Sequence, residues 1–181
     1  MKLREILKAG RERAMTGSEG TAGADPAPME RAIRRLWYAV RTLPGVLGQF
    51  SEAESGLRPA PERWTKKEVV GHLIDSAANN HQRFVRGQLE PGQNFPRYEQ
   101  DGWVRVQNYQ AARWADLIDL WRAYNTHLLH VAGQMPADGR RAVCRVGGGD
   151  EVTLGRLFAD YVEHLEHHLR MIFGAWEVGG V

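Results

Sequence analysis

Apolar positions recur at helical spacing in four stretches of the chain, and this pattern predicts four amphipathic helices. The first begins near Pro28 and carries Met29, Ile33, Leu36, Trp37, Val40 and Leu43. Pro44-Gly45 is expected to kink or interrupt it before Val46, Leu47 and Phe50. The second has the best start signal: Thr65 and Glu68 have capping-box spacing, and Trp64 and Val69 are placed as a hydrophobic staple. It should run to about Gly87 with Val69, Val70, Leu73, Ala77 and Phe84 facing the core. The third covers roughly Ala111 to Val131, through Trp114, Leu117, Trp121, Tyr124 and Leu128, and Gly133 and Pro136 close it. The fourth starts at Thr153, a suitable N-cap, and ends by Gly174.

Between the second and third helices the chain is irregular from Leu89 to Tyr109, apart from a short helix around Asp101–Val106. Strand is expected only between Arg140 and Val152, with Gly147-Gly148-Gly149 as a turn. The fold class is therefore all-α, an antiparallel four-helix bundle whose long connection between helices 2 and 3 serves as a crossover or a lid. Residues 1–26 read as an N-terminal arm, with a short amphipathic helix through Leu3, Ile6 and Leu7 and a glycine-rich linker to Pro26. The bundle domain spans 27–176.

Composition narrows the function classes. The 181 residues suit one domain with a real core, and 43% hydrophobic against 25% charged residues is ordinary globular usage. No apolar run approaches the ~18 residues of a membrane-spanning helix, and the first residues lack a signal-peptide block. A cytoplasmic protein with no membrane partner is expected. One cysteine, Cys144, excludes an internal disulfide and a Cys-pair zinc site. A net charge of +2 is far from the basic stripe that phosphate-backbone binding demands, so no nucleic acid partner is expected.

The candidate chemistry lies in the seven histidines, three of them between Glu163 and Leu169. His164 and His168 are four apart, so on a helix both imidazoles fall on one face and can grip one divalent ion. On the helical wheel they fall inside or at the edge of the apolar arc of Leu154, Leu157, Tyr161, Leu165 and Ile172. His167 falls outside it, and Glu163, Glu166 and Arg170 lie further round toward solvent. Two such histidines can equally be hydrogen-bonded core residues, and a metal needs at least one more ligand. The sources are His127 and His130 on the third helix, His81 on the outer side of the second, and His72. By periodicity His72 lies beside the apolar arc, in line with Ser76, Asn79 and Arg83; alone, that stripe reads as a solvated face unless the bundle opens there.

Several motifs carry a resemblance. Trp64-Thr65 followed by Glu68-Val69-Val70-Gly71-His72-Leu73-Ile74-Asp75-Ser76 resembles the second-helix signature of the DinB superfamily, in particular its DinB/YfiT-like branch. Asn79, Arg83-Phe84, the segment Tyr98-Glu99-Gln100-Asp101-Gly102-Trp103 and the closing Tyr161-Val162-Glu163-His164-Leu165-Glu166-His167-His168 match as well. The resemblance covers about Arg58 to Phe173. It departs at Leu169-Arg170-Met171, where Gly or Ala followed by Gln or His is usual. It implies a four-helix bundle with a divalent metal held by His72, His164 and His168, and a stripe beside His72 that lines the metal cavity.

Three imidazoles with a vacant coordination position make a Lewis-acid centre. The leading expectation is a metal-dependent hydrolase acting on a small molecule. Asp75, one turn from His72, would be the catalytic group that orients a ligand or takes a proton, or else a helix-surface salt bridge. Asn79 and Arg83 would bind substrate polar groups or a carboxylate. Tyr98 and Trp103 would close over the cavity or fill the core. The same resemblance implies an alternative, an S-transferase using a low-molecular-weight thiol. A non-catalytic, stress-associated metal-binding bundle is a third reading. Zinc or nickel is the expected ion, with iron as an alternative, and the Trp-rich bundle is expected to form a homodimer.

Overall fold

The structure, a computed structural model, describes residues 28–173; the arm, its linker and the end of the domain at 174–176 lie outside the described residues. In chain order the elements are α1 (Pro28–Leu47), α2 (Glu52–Gly56), α3 (Lys66–Leu89), β1 (Asn94–Phe95), α4 (Gln100–Gln107), a 3-10 turn (Tyr109–Ala111), α5 (Trp114–Gln134), α6 (Ala137–Arg141), β2 (Val143–Val146), β3 (Val152–Thr153) and α7 (Leu154–Ile172). The four long helices α1, α3, α5 and α7 form the bundle. They touch in the cyclic order α1–α5–α3–α7, which sets α1 diagonally opposite α3 and α5 opposite α7. Links 1–2 and 3–4 of the bundle therefore span diagonals, whereas the long connection between α3 and α5 joins neighbours. That connection is free to fold back over the bundle.

The helix starts follow their local chemistry. Thr65 and Glu68 form the expected capping box: the Thr65 Oγ1 accepts from the Glu68 N–H, and the Glu68 carboxylate accepts from the Thr65 N–H. Thr153 caps α7 by accepting from the Arg156 N–H. α1, however, runs through Pro44 to Leu47. Pro44 has no N–H to give the Val40 carbonyl, a loss of about 3 kcal/mol in a helix interior. Leu36, Leu43 and Leu47 are fully buried along the same face and hold the last turn against the core.

The core is formed mainly by Leu36, Leu43, Leu73, Phe84, Trp121, Leu128, Phe158 and Leu165, contributed by all four long helices. The expected strand segment is present. β2 pairs antiparallel with β3 across a turn with Gly147 and Gly148 at φ 63° and 72°, and parallel with β1 from the connection. The far end of the connection is clamped at the start of α3. Buried Lys67 binds the Glu52 carboxylate and donates to the Ala112 carbonyl at 2.8 Å, while Thr65 Oγ1 donates to Gln110 Oε1 at 2.8 Å. No helix among the described residues is long and apolar enough to cross a membrane.

Candidate metal centre

α3 and α7 are neighbours in the bundle, and their contact brings His72 against His164 and His168. One ring nitrogen from each lies within 4.8 Å of the other two. The Nε2 atoms of His72 and His164 are 3.3 Å apart, and the ring centroids of His72 and His168, and of His164 and His168, are 4.5 Å apart. Two imidazoles bound to one ion at about 2.0–2.1 Å with a tetrahedral angle hold their nitrogens about 3.3–3.4 Å apart. The His72–His164 pair already has that spacing. His167 points away and is exposed, as the helical wheel requires.

The three rings are costly to bury as they stand. His72 is fully buried, and Nδ1 of all three histidines is buried without a hydrogen-bond partner. Each such group costs about 1–3 kcal/mol. A hydrogen-bonded core role does not account for three such rings meeting at one point, whereas a shared cation between the facing Nε2 atoms of His72 and His164 does. Burial pushes the His72 imidazole down to about 3, with His168 and His164 adding to the effect. Burial, then His164 and His167, takes His168 to about 4, and burial followed by His167 lowers His164. All three are therefore neutral near pH 7, the form in which imidazole offers a lone pair. The Trp64 ring closes one side, 4.9 Å from His72 and 6.1 Å from His168. Tyr98 lies 6.5 Å from His72 on the connection and packs on Trp103.

Asp75 is not on the helix surface. It is buried, and its Oδ1 accepts from the Tyr109 hydroxyl at 2.6 Å and from Gln107 Nε2 at 2.7 Å, while Oδ2 is buried without a partner. Burial raises its carboxyl and the two hydrogen bonds oppose the rise. Burial, then Asp75, also pushes the Tyr98 phenol up to about 12.

A cavity of about 260 Å³ opens beside His164, with Ser76, Asn80, Arg83, Arg97 and Tyr98 in its wall. The stripe along α3 is thus a cavity wall and not a solvated face. Arg83 is buried there, and Asn79 is not part of the wall: its amide donates to the Asp75 carbonyl, and Asn80 holds the lining position. Arg83 donates to Asn80 Oδ1 and the Pro96 carbonyl, both at 3.3 Å, and no carboxylate among the described residues forms an ion pair with it. Burial lowers its guanidinium. Asp160, at the cavity edge, is engaged by Arg156 at 2.8 Å.

One placement corrects the wheel. Glu166 is buried, not solvated, and forms a bidentate pair with Arg35 of α1, with Nε–Oε1 at 2.7 Å and Nη2–Oε2 at 2.6 Å. Arg97, Gln107 and Tyr109 come from the irregular connection, where no periodicity marks them.

The family profile of the DinB superfamily matches residues 29–172. The chain belongs to the DinB superfamily. Among its DinB-like relatives is a Bacillus licheniformis protein bearing the name "putative metal-dependent hydrolase", 26% identical over 159 residues that cover 82% of this chain and 85% of that protein. Among solved structures, YfiT from Bacillus subtilis, described as a probable metal-dependent hydrolase with an unusual four-helix bundle topology, superposes with a TM-score of 0.70 at 17% identity. That match covers 88% of this chain and 94% of YfiT. A mycothiol-dependent maleylpyruvate isomerase shares the fold with a TM-score of 0.66 at 14% identity, over 82% of this chain and 61% of that longer one. The relatives' names and the three-histidine cluster of this DinB protein together point to a divalent metal.

Proposed function

We propose that this DinB-superfamily protein is a metal-dependent hydrolase that holds a divalent ion, zinc or nickel, on His72, His164 and His168 and acts on a small carboxylate-bearing molecule. The observation that carries this reading is the convergence of three neutral imidazole nitrogens from two helices within 4.8 Å. A divalent ion bound there supplies Lewis acidity toward an oxygen of substrate or water. Arg83 supplies the other half of the site: a buried guanidinium without an acidic partner is an unfilled anion receptor, placed in the wall of the cavity that reaches His164. Arg97 adds positive charge at the same mouth, and Ser76 and Asn80 offer neutral hydrogen bonds. Asp75 acts as a positioning residue, because its carboxylate ties α3 to Tyr109 and Gln107 one turn after His72. Asn79 has the lesser part, holding the Asp75 backbone.

The test is elemental analysis of the purified protein and of His72→Ala, His164→Ala, His168→Ala and His167→Ala. The first three substitutions are expected to remove most of the bound ion and the fourth to leave it. Equal loss in His167→Ala overturns the ligand assignment.

A second reading is favoured by the shared fold with a mycothiol-dependent enzyme: an S-transferase in which the same ion holds a low-molecular-weight thiolate. Turnover of an electrophilic acceptor only when a bacterial thiol is present would select it over hydrolysis. The cavity at His164 disfavours a purely structural ion. Trp37 and Leu120, each about half exposed, support the expected homodimer, which size-exclusion chromatography with light scattering tests.

A further inference from the structure

A second set of histidines lies outside the candidate metal centre, on the contact between α3 and α5. His81, half-buried on α3, faces His127 on α5 with Nε2–Nε2 3.3 Å, ring centroids 4.9 Å apart and an interplanar angle of 88°. The His72–His164 pair of the buried cluster has Nε2–Nε2 3.3 Å, centroids 5.1 Å apart and an angle of 69°. The two pairs are near copies in geometry, each spanning two helices. The Tyr124 hydroxyl lies 3.5 Å from His81 Nδ1, on the side of the ring away from His127, and leaves Nε2 as the outward-facing donor atom. His130, one turn beyond His127 on α5, stacks on it at 6.4 Å and 23°, but its nitrogens do not converge with those of the pair.

We propose that His81 and His127 form a second and exposed binding site for a divalent transition metal, bridging α3 and α5. The donor atoms are all imidazole nitrogens and the spacing fits an ion bound at about 2.0–2.1 Å. Such a site takes copper, nickel or zinc, in the Irving–Williams order of preference, and rejects magnesium and calcium, which need oxygen ligands. His127 is exposed, so water completes the coordination sphere and the site binds more weakly than the buried three-histidine cluster. Because its ligands come from two helices, an ion here also staples α3 to α5.

Nickel titration of the full chain, free of any affinity tag and first stripped with a chelator, tests this. Wild-type protein is expected to bind two equivalents, one tight and one weaker. His127→Ala removes the weaker one, and His81→Ala does the same. Each loses affinity in that phase by at least the ~10–100-fold that removing a mere outer-shell partner costs. His72→Ala is expected to keep the weaker equivalent, so the two sites succeed or fail separately. A single wild-type equivalent that vanishes in His127→Ala supports this site and removes the buried one. If His127→Ala and His81→Ala bind as much nickel as wild type, the exposed pair is only an imidazole–imidazole contact and the proposal is overturned. His127→Gln, on an exposed helix position, provides a second variant should the alanine protein fold poorly.

Discussion

Gly71→Ala gives the sharpest test of how the connection is held against the metal-bearing helix. Replacing glycine by alanine inside a helix ordinarily stabilises by about 0.5–1 kcal/mol. Here the opposite sign is expected. The Tyr109 ring lies directly on α3 at Gly71, and an added Cβ would sit within it, with even the third-nearest ring carbon, Cε2, only 2.5 Å away. The methyl can be accommodated only by expelling the ring. Tyr109 then loses its 2.6 Å hydrogen bond to the Asp75 carboxylate, worth about 1.5–3 kcal/mol for a charged acceptor. Overpacking adds about 1–3 kcal/mol. Subtracting the helix-propensity gain leaves a net destabilisation of about 2–5 kcal/mol. Urea unfolding followed by circular dichroism should place the midpoint about 1–2 M below wild type. Tyr109→Phe isolates the hydrogen bond and should lie between the two. The decisive arm is the Tyr109→Ala background, in which Gly71→Ala has nothing to strike and should stabilise by about 0.5–1 kcal/mol. The reasoning is refuted if Gly71→Ala has the same sign and size in both backgrounds.

Three further outcomes follow from the buried charges and imidazoles. Stripped of metal, the protein should lose stability as the pH falls: the unfolded chain protonates His72 and His168 near 6.5, whereas the folded chain resists to about 3 and about 4. The contribution is complete above pH 7 and declines from about 6.5 downward, by about 2–3 kcal/mol between pH 7.5 and 5.5 for the two groups together. A flat denaturation midpoint across that range would contradict the buried neutral state, and His72→Gln should flatten the slope. Half-buried Arg35 and buried Arg83 should respond in opposite directions. Arg35→Met removes the bidentate hydrogen bonds to the buried Glu166 carboxylate and should cost about 1.5–3 kcal/mol, whereas Arg83→Met removes a buried guanidinium with no ion-pair partner among the described residues and should gain about 1–3 kcal/mol; thermal melts of both variants without ligand distinguish them. Small dicarboxylates should raise the melting temperature of wild type and leave Arg83→Met unmoved, and equal shifts in both would place the anion elsewhere.

How much of this was legible from the sequence depended on whether a residue's partner is set by its own helix. The Thr65–Glu68 cap, the His164–His168 pair and the outward turn of His167 are local facts, so periodicity and spacing carry them. Glu166 lies off the apolar arc, and the approach of Arg35 from α1, 131 positions away, gives it a partner inside the fold. A period of 3.6 residues also cannot choose between Asn79 and Asn80, which lie on either side of the line through Ser76 and Arg83; the packing of the cavity selects Asn80. Asp75 shows the same limit most clearly. Its partners Gln107 and Tyr109 sit in a connection without hydrophobic repeat, so the sequence offers a surface salt bridge or a group that orients a ligand or takes a proton, and no sign of the clamp that the fold builds. Pro44 reads as a helix breaker because the compensating burial of Leu43 and Leu47 is a tertiary effect.

His72 and His164 meet across 92 positions of chain, and this sets the order of events as the polypeptide matures. Closing a loop of that length is entropically unfavourable, and a pair of imidazoles alone cannot drive it. Collapse of the hydrophobic interior has to dock the two helices first. On the proposed metal-binding reading, the polypeptide is then folded before any ion arrives, and the empty form is a compact protein waiting to be filled.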